Sequence, residues 1–379
     1  MKTGIEEDVI AGILMDWYDT HCRTLPWRNT KDPYAVWISE IILQQTRVAQ
    51  GYDYYVRFMR EFPTVEALAE ADEDRVLRLW QGLGYYSRAR NLHAAARQIV
   101  EQGGFPTTYD GLLRLRGVGE YTAAAIGSFA FGLPVAVVDG NVYRVLSRLF
   151  GIKEPIDTTS GKKLFAELAA QLLPKESPAH YNQAIMEFGA LQCVSRQPDC
   201  VACPLADKCL ALAEGLVDVL PAKSHRTKVS DRWFHYFYVH NADQMYIHKR
   251  TADDIWRGLY ELPMVETASE EQSPDGSLLT IAFSDQRSEI RDQIIAPSAE
   301  HSSVHCSLFT DNFLNASFRL RCSRRHILSH QVIHATLYEL EVQGELPPTP
   351  LYNIIRIDEL DDYALPRLIT LLLNDIELP

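Results

Sequence analysis

Residues 115–149 read LRGVGEYTAAAIGSFAFGLPVAVVDGNVYRVLSRL. Two glycines flank Val118 directly before an alanine-rich segment, a pattern that predicts a tight turn opening into a helix. Backbone amides at such a turn form a seat for a phosphate group, because glycine lets a ligand approach the main chain closely. We therefore predict a helical hairpin over residues 112–133, with Gly117 and Gly119 as phosphate-binding residues.

Asp139 follows the apolar run after the hairpin, and Gly140 permits a bend directly behind it. We interpret a carboxylate at the end of an apolar run as a functional group rather than a solvated surface charge. The alternative is that Asp139 caps the next helix, because aspartate is a preferred N-cap residue. The two roles are compatible with each other.

The overall composition predicts a two-domain globular protein. The 379 residues exceed one typical domain. No window approaches about 18 uninterrupted apolar residues and the acidic N-terminus lacks an apolar core, so we expect neither a membrane span nor a secretion signal. A net charge of −13 counts against nucleic-acid binding. Residues 312–338, however, carry four arginines and no acid, and binding depends on the local field at the phosphates.

The period of the apolar residues changes along the chain. The first half has helical spacing, and helices are predicted at 5–20, 34–59, 160–173 and 180–192. The second half alternates, which predicts a β-hairpin at 233–240 and 245–249, strands at 278–283 and 332–342, and a helix at 366–373. We therefore predict an all-α body (1–215), a polar linker (216–232) and an α+β module (233–379).

Four cysteines lie close together in the pattern C-x6-C-x2-C-x5-C, namely Cys193, Cys200, Cys203 and Cys209. Four neighbouring thiolates suit either a tetrahedral zinc ion or a [4Fe–4S] cluster, and their chemistry alone does not choose between the two. Because the other three cysteines show no such spacing, the pattern indicates a metal site in a reducing compartment rather than a disulfide framework.

Glu40 lies beside Ile41 and Ile42 on the helix predicted at 34–59. A carboxylate next to an apolar stripe is a candidate for a raised pKa, particularly near the polar corner at residues 44–47. The alternative is an ordinary surface glutamate, and spacing alone favours that alternative.

Two blocks of the central stretch resemble the helix-hairpin-helix DNA glycosylases of the endonuclease III superfamily. They are L-x-G-V-G at 115–119 and V-V-D-G-N-V-x-R at 137–144. The resemblance implies that Asp139 is the essential aspartate of that superfamily. Bifunctional members carry a lysine nucleophile at the position of Tyr121, and without that amine there is no Schiff base. The chain therefore resembles the monofunctional branch, the MutY-type adenine glycosylases.

The beginning of the chain is similar to the same branch, through LPWR at 25–28 and WISEIILQQTRV at 37–48. The resemblance implies that Glu40 is the catalytic acid and that Arg28 and Glu187 surround a flipped adenine. Further residues that it places at the catalytic centre or the DNA interface are Tyr121, Asn141, Thr46 and two wedges into the duplex, Gln45 and Tyr85. The cysteine spacing matches the iron–sulfur loop of the superfamily, here residues 193–209, which implies a [4Fe–4S] cluster.

The C-terminal module resembles the Nudix-like domain with which MutY-type enzymes recognise 8-oxoguanine opposite the adenine. WRGLYELP at 256–263 matches a family block, and Ser329 and His330 align with the family's lesion-reading loop. Leu328 departs from the phenylalanine that the family usually has there. The module lacks the G-x5-E-x7-R-E-x2-E-E signature, so nucleoside-diphosphate hydrolysis is not expected. Zinc binding by His326, His330 and His334 is a weaker alternative.

The function implied by the resemblance is excision of adenine mispaired with 8-oxoguanine or guanine in base excision repair. Adenine leaves only when protonated, most effectively at N7, which an acid of raised pKa achieves. Asp139 would stabilise the oxocarbenium-like sugar. The alternatives are a related glycosylase acting on a pyrimidine or a T:G mismatch, and a non-catalytic iron–sulfur DNA-binding protein. We expect a monomer on double-stranded DNA, cytoplasmic with the bacterial nucleoid, or nuclear in a eukaryote.

Overall fold

The computed structural model of the chain describes residues 5–224, 229–269 and 319–376. The chain divides into two compact units, the first comprising Met1–Ala71 and Asn91–Arg226, the second Asp72–Arg90 and Thr227–Pro379. Across the described ranges, none of the helices combines the length and the apolar character that a membrane crossing requires. The strand predicted at 278–283 lies outside the described residues.

The part of the chain before residue 225 is helical, as the apolar spacing predicts. Its α-helices are α1 (Ile5–His21), α2 (Pro33–Leu43), α3 (Val48–Glu61), α4 (Val65–Glu70), α5 (Glu73–Trp80), α6 (Ser87–Glu101), α7 (Tyr109–Leu113), α8 (Glu120–Phe131), α9 (Gly140–Leu149), α10 (Thr159–Leu172), α11 (Pro178–Leu191) and α12 (Leu210–Ala213). A 3₁₀ turn at Ala206–Lys208 lies between the last two cysteines.

The prediction of a single helix over residues 34–59 is wrong. The structure has two helices, α2 and α3, separated by a corner at residues 44–47. Gln45 has φ +57°, a left-handed conformation that an α-helix does not contain. At the other end of α2, Asp32 accepts hydrogen bonds from the amides of Tyr34 and Ala35, and Pro33 occupies the first turn, where its missing N–H costs nothing.

The predicted hairpin is confirmed as α7, a turn, and α8. Gly117 has φ +73°, and a Cβ built on it would lie 2.6 Å from Cβ of Asn91, so this position requires glycine for two reasons. Helix α8 begins after Gly119 and ends at Gly132, which has φ +66°. The core of the first unit lies between α1, α9, α10 and α11 and includes the fully buried Leu14.

Within the described residues, the second unit contains a seven-stranded mixed sheet with β1 in its middle. The strands are β1 (Ser230–His240), β2 (Gln244–Lys249), β3 (Tyr260–Glu261), β4 (Met264–Thr267), β5 (Arg319–Ile327), β6 (Gln331–Glu341) and β7 (Asn353–Arg356). The order is β3-β2-β1-β6-β5, with β4 on β1 and β7 on β2. The predicted hairpin of β1 and β2 and the predicted strand β6 are confirmed, and β1 and β6 run parallel along their whole length.

Helix α13 (Arg367–Asn374) covers one face of the sheet and confirms the helix predicted at 366–373. Its apolar residues pack against alternate residues of β1 and β6, including Phe234 and Ile333. Strand β5 was not predicted, because most of its residues are exposed and arginines replace the apolar positions of a half-buried strand. An all-α body followed by an α+β module is therefore confirmed.

The WRGLYELP block contributes to a buried ion network in the second unit. Glu261 is 2% exposed, and its carboxylate accepts a hydrogen bond from Arg250 Nη1 at 2.7 Å. Arg232 bonds both Asp254 and Glu266 at 2.7 Å, and Arg250 also reaches Asp254. Since removing one partner of a buried pair is costly, this network fixes the middle of the sheet. The block therefore has a structural role in this chain.

Candidate active site

A cavity of about 550 Å³ opens in the first unit between α2, α8, α9 and α11. Its lining contains seven of the residues singled out in the sequence, namely Arg28, Glu40, Thr46, Tyr121, Asp139, Asn141 and Glu187. The carboxyl groups of Glu40 and Asp139 thus line the same cavity. No lysine is among the described residues that line it.

Glu40 lies near the end of α2 and is 7% exposed. Burial raises the pKa of its carboxyl group to about 7, with a further contribution from the charge of Asp139. The phenol of Tyr121 donates a hydrogen bond to Glu40 Oε2, which opposes the rise. The pKa of Tyr121 itself is raised well above 10 by burial and by Glu40, so Tyr121 stays a neutral donor. Near neutral pH, a substantial fraction of Glu40 is therefore protonated, and the hydrogen bond from Tyr121 orients its carboxyl group.

Asp139 is the N-cap of α9, as the alternative interpretation held. Its Oδ1 accepts hydrogen bonds from the amides of Asn141 and Val142 at 2.8 and 2.7 Å, and its Oδ2 accepts one from Asn141 Nδ2 at 2.7 Å. Burial raises the pKa of Asp139 from its ordinary value, while these hydrogen bonds oppose the rise. The cap fixes the carboxylate in one orientation and leaves it lining the cavity, so the capping role is confirmed and is compatible with a functional role there.

Glu187 projects from α11 and is 1% exposed. Burial disfavours its charge, but hydrogen bonds from Arg23 and Arg28 outweigh that effect and hold its pKa at about 2. Arg28 Nη1 lies 2.9 Å from Glu187 Oε1, and Arg23 Nε lies 2.8 Å from the same oxygen. Arg23 was missed by the sequence analysis, although it stands close to the LPWR block. The result is a permanently charged, rigid group of donors and acceptors on the cavity wall.

The four clustered cysteines line a small apolar cavity of about 30 Å³, together with Arg148. Three of them, Cys193, Cys203 and Cys209, pack against the core of the first unit. Arg148 is 3% exposed, and its Nη1 lies 3.4 Å from Cys193 Sγ. Burial raises the pKa of Cys203 to about 11, so an uncoordinated thiol here would be protonated. The buried guanidinium of Arg148 would stabilise the negative charge of thiolate ligands at this position.

Among the described residues, no three histidine, cysteine or carboxylate side chains converge on a single metal ion. This applies to the cysteine loop and to the histidines of the second unit alike. In a [4Fe–4S] cluster each cysteine binds a different iron, so the sulfurs surround a volume instead of one point. The four-cysteine donor set is that of a [4Fe–4S] cluster or of a tetrahedral zinc ion.

Hydrogen bonds connect the cysteine loop with Asp139. Arg144 Nε donates to the carbonyl of Cys193 at 2.7 Å, and Arg144 Nη2 donates to Asn141 Oδ1 at 2.7 Å and to the carbonyl of Gly189. Asn141 in turn bonds Asp139. The path consists entirely of direct contacts, so the loop supports the orientation of the carboxylate through Arg144. Spacing in the sequence gave no indication of this role.

The remaining predicted site residues lie at exposed turns. Gln45 and Thr46 form the corner between α2 and α3, and Thr46 also lines the cavity. In the second unit, Tyr85 has φ +48° and its hydroxyl contacts the hydroxyl of Ser329. His330 occupies the turn between β5 and β6 and is exposed. Leu328, in place of the usual phenylalanine, packs against the core of the second unit.

Comparison with known families gives two matches. Residues 38–172 match the HhH-GPD superfamily of base excision DNA repair proteins, and residues 235–375 match the NUDIX domain. The hairpin of the first unit lies within the first matched region, and the described strands of the second unit lie within the second, apart from the first residues of β1. Together they agree with the domain types that the resemblance implied.

Individual relatives extend the match. An adenine DNA glycosylase of Buchnera aphidicola subsp. Schizaphis graminum is 34% identical over 262 residues, covering 68% of this chain and 76% of the relative. The adenine DNA glycosylase of Mus musculus is 44% identical over 225 residues, covering 55% of this chain and 44% of the relative. The match therefore spans less than half of the mouse protein's length.

A solved structure entitled "Structure of a thermostable thymine-DNA glycosylase" superimposes with a TM-score of 0.51 and 30% identity, covering 55% of this chain and 97% of the other. It shares the helical architecture, whereas the two curated relatives share the adenine-specific name. The identity and coverage of the Buchnera relative settle the family. The chain belongs to the adenine DNA glycosylases, within the HhH-GPD superfamily of base excision DNA repair proteins.

Proposed function

We propose that this chain is a monofunctional DNA glycosylase that excises adenine mispaired with 8-oxoguanine or guanine from double-stranded DNA. The single observation that carries the proposal is the pairing of two unlike carboxyl groups in one cavity. Glu40 has a pKa of about 7 and Asp139 is held by three hydrogen bonds at the same wall. Two carboxyl groups with different environments suit an acid and a charge stabiliser in glycosidic bond cleavage.

Glu40 is the proton donor in this proposal. The adenine anion is a poor leaving group, so the N-glycosidic bond breaks once N7 of the base has been protonated. An acid with a pKa near the working pH transfers that proton most effectively. Tyr121 holds Oε2 of Glu40, which orients the carboxyl group towards the base.

Asp139 stabilises the sugar. Loss of the base leaves positive charge on the deoxyribose ring until water adds at C1′ and loses a proton, and a fixed, buried carboxylate stabilises that charge without first having to reorient. A lysine at position 121 would instead attack the sugar and lead to strand cleavage through a Schiff base. Tyr121 has no amine, and the described lining residues include no lysine, so we propose that catalysis stops at base removal.

Glu187 and its two arginines recognise the base. Adenine offers an exocyclic amine donor and ring nitrogen acceptors. The ionised Glu187 holds Arg23 and Arg28 in place, and the remaining N–H groups of these arginines supply donors on the wall of the cavity that also contains Glu40. A site with buried polar groups rejects bases that leave those groups unpaired. The flipped position of the base follows from the buried location of the carboxyl groups.

The test is a single-turnover assay on duplexes that differ only at one pair. We expect alkali-labile sites to appear where adenine lies opposite 8-oxoguanine or guanine, and much more slowly where it lies opposite thymine. Because the helical architecture is shared with a thymine-DNA glycosylase, a T:G duplex is included for the second candidate activity. Faster release of thymine than of adenine would replace the proposal with that alternative.

We propose that the four cysteines hold a [4Fe–4S] cluster, which in this loop would supply a structural cross-link rather than chemistry on the substrate. We expect the purified protein to be yellow-brown and to contain about four irons and four sulfides per chain. Metal analysis and the visible absorption spectrum measure this. One zinc ion per chain without iron would contradict the assignment, and Cys22→Ser, at an exposed cysteine outside the loop, is the control that should keep full iron content.

Ser329 and His330 are proposed to read the base opposite the adenine. We expect Ser329→Ala combined with His330→Ala to lower the preference for 8-oxoguanine over guanine by about tenfold, since each lost hydrogen bond contributes a factor of several. The ratio of single-turnover rates on the two duplexes measures the preference. Ser323→Ala, an exposed serine on β5, is the matched control. An unchanged ratio in the double variant would remove the two residues from this role.

The proposed partner is DNA alone, bound by a monomer, in whichever compartment contains the genome. The basic stretch of the second unit supports DNA binding, since Arg319 and Arg325 are exposed on β5. Size-exclusion chromatography with light scattering, with and without a duplex, measures the number of chains in the complex.

A further inference from the structure

The corner between α2 and α3 is attached to the hairpin helix by a side-chain hydrogen bond. Nε2 of Gln44 donates to Oγ1 of Thr122 at 3.0 Å. Thr122 is 2% exposed and lies in the first turn of α8, directly after Tyr121. Tyr121 and the predicted phosphate seat at Gly119 therefore lie within one helical turn of the point to which the corner is attached.

Gln45, the next residue, has an unfavourable backbone conformation. Its φ of +57° belongs to a region that residues with a side chain rarely adopt, and such conformations persist where the surroundings impose them. The backbone amides on either side are fixed, since Gln44 N donates to the carbonyl of Glu40 and Thr46 N donates to the carbonyl of Leu43, both at 3.2 Å. The side chain of Gln45 is exposed at the apex of this corner.

Helices α2 and α8 are thus joined at two points. The phenol of Tyr121 bonds the carboxyl group of Glu40, and one residue further along α8 the hydroxyl of Thr122 accepts from Gln44. On α2 the two attachment points are one helical turn apart. The first point orients the proposed acid. The second fixes the segment from which Gln45 projects.

We propose that the Gln44–Thr122 hydrogen bond is a positioning contact that holds the Gln45 wedge in register with the hairpin, so that Gln45 enters the duplex while the hairpin binds the phosphate. This inference rests on the proposed function, because it assumes that the base is everted. Neither Gln44 nor Thr122 touches the substrate in this proposal. Their effect is on eversion of the nucleotide, and the protonation step is unaffected.

Thr122→Val removes the acceptor and preserves the shape of the side chain, whereas Thr122→Ser retains the hydroxyl. The readouts are the fluorescence of 2-aminopurine placed next to the mispaired adenine, which rises on unstacking, and the single-turnover rate of adenine release. We expect Thr122→Val to lower both the rate of the fluorescence rise and adenine release about tenfold, the effect of one lost hydrogen bond with a partly buried partner, and Thr122→Ser to keep both within about twofold.

Two further measurements separate positioning from general damage. With adenine opposite an abasic site, the space for the wedge is already open, so the Thr122→Val defect should shrink to about twofold or less. The basic limb of the pH–rate profile, which reports Glu40, should stay in place. Tyr34→Phe is the matched control: it removes a buried hydrogen bond to the carbonyl of Phe62 at the other end of α2 and should lower the melting temperature without changing either rate.

The inference is overturned by equal losses on the two duplexes, by a shifted basic limb, or by a serine variant as slow as the valine variant. Each of these results would assign the bond to the acid or to stability. Failure of the proposed function gives a different result, since the wild-type chain would then release no adenine from any duplex.

Discussion

Replacing Glu40 with glutamine should lower the single-turnover rate of adenine release by about 10³-fold or more, because a general acid contributes roughly two to four orders of magnitude. Glutamine has the shape of the carboxylic acid and still accepts the hydrogen bond from Tyr121, so the cavity is expected to survive. It cannot donate a proton of comparable acidity to N7. Binding of the mismatched duplex, measured by fluorescence anisotropy, should change little.

The pH profile of the wild-type chain tests the same assignment without a substitution. With a pKa of about 7, Glu40 is protonated below neutrality and ionised above it, so the rate should fall about tenfold per pH unit on the alkaline side. Tyr121→Phe removes a hydrogen bond that favours the ionised form, so it should move this limb to higher pH. Glu66→Gln, at an exposed glutamate on α4, should change nothing. Turnover by Glu40→Gln close to that of the wild type would remove Glu40 from the role of acid.

The local parts of the site were predictable from residue types alone. Gly117 and Gly119 before an alanine-rich segment predicted the hairpin, and Asp139 before Gly140 predicted the N-cap of α9. These features depend on interactions within a few residues, where turn and capping preferences are strong. The β1–β2 hairpin was predictable for the same reason.

Features that depend on distant residues were not predictable from pattern. Spacing favoured a surface glutamate at position 40, because its burial depends on the packing of α2 against α8, which is distant in the sequence. Resemblance to a family was needed to select it. Arg23 bonds Glu187, which lies 164 residues further along the chain, so no local signal marks the pair. No sequence signal indicates the left-handed conformation of Gln45, because glutamine has no preference for it. A continuous helix was therefore predicted through this residue.

The two carboxyl groups also illustrate why one site needs both local and distant information. Asp139 takes its orientation from the first turn of its own helix, and Glu40 takes its pKa from burial by other helices. Residue type determines the first and tertiary packing determines the second. The chemistry proposed for the cavity requires the two to coincide, and that coincidence is a property of the fold.

Replacing Asp139 with asparagine should lower the rate of adenine release by about 10³-fold, because it removes the negative charge that stabilises the positive charge developing on the sugar. Stability should change little, because asparagine is as good an N-cap as aspartate and still accepts from the amides of Asn141 and Val142. The melting temperature and the affinity for the mismatched duplex are the controls for folding and binding. Asp32→Asn, at the N-cap of α2, is the matched variant that changes a capping carboxylate outside the cavity.

The pH dependence of the residual activity of Asp139→Asn is a more specific test of the two roles. The charge of Asp139 raises the pKa of Glu40, so its removal should lower that pKa, and the rate should begin to fall at a lower pH than in the wild type. A structural defect would reduce the rate at every pH alike and leave the basic limb where it is. An unmoved limb in the variant would therefore mean that the two groups do not share an electrostatic environment, and the division of roles between acid and charge stabiliser would have to be abandoned.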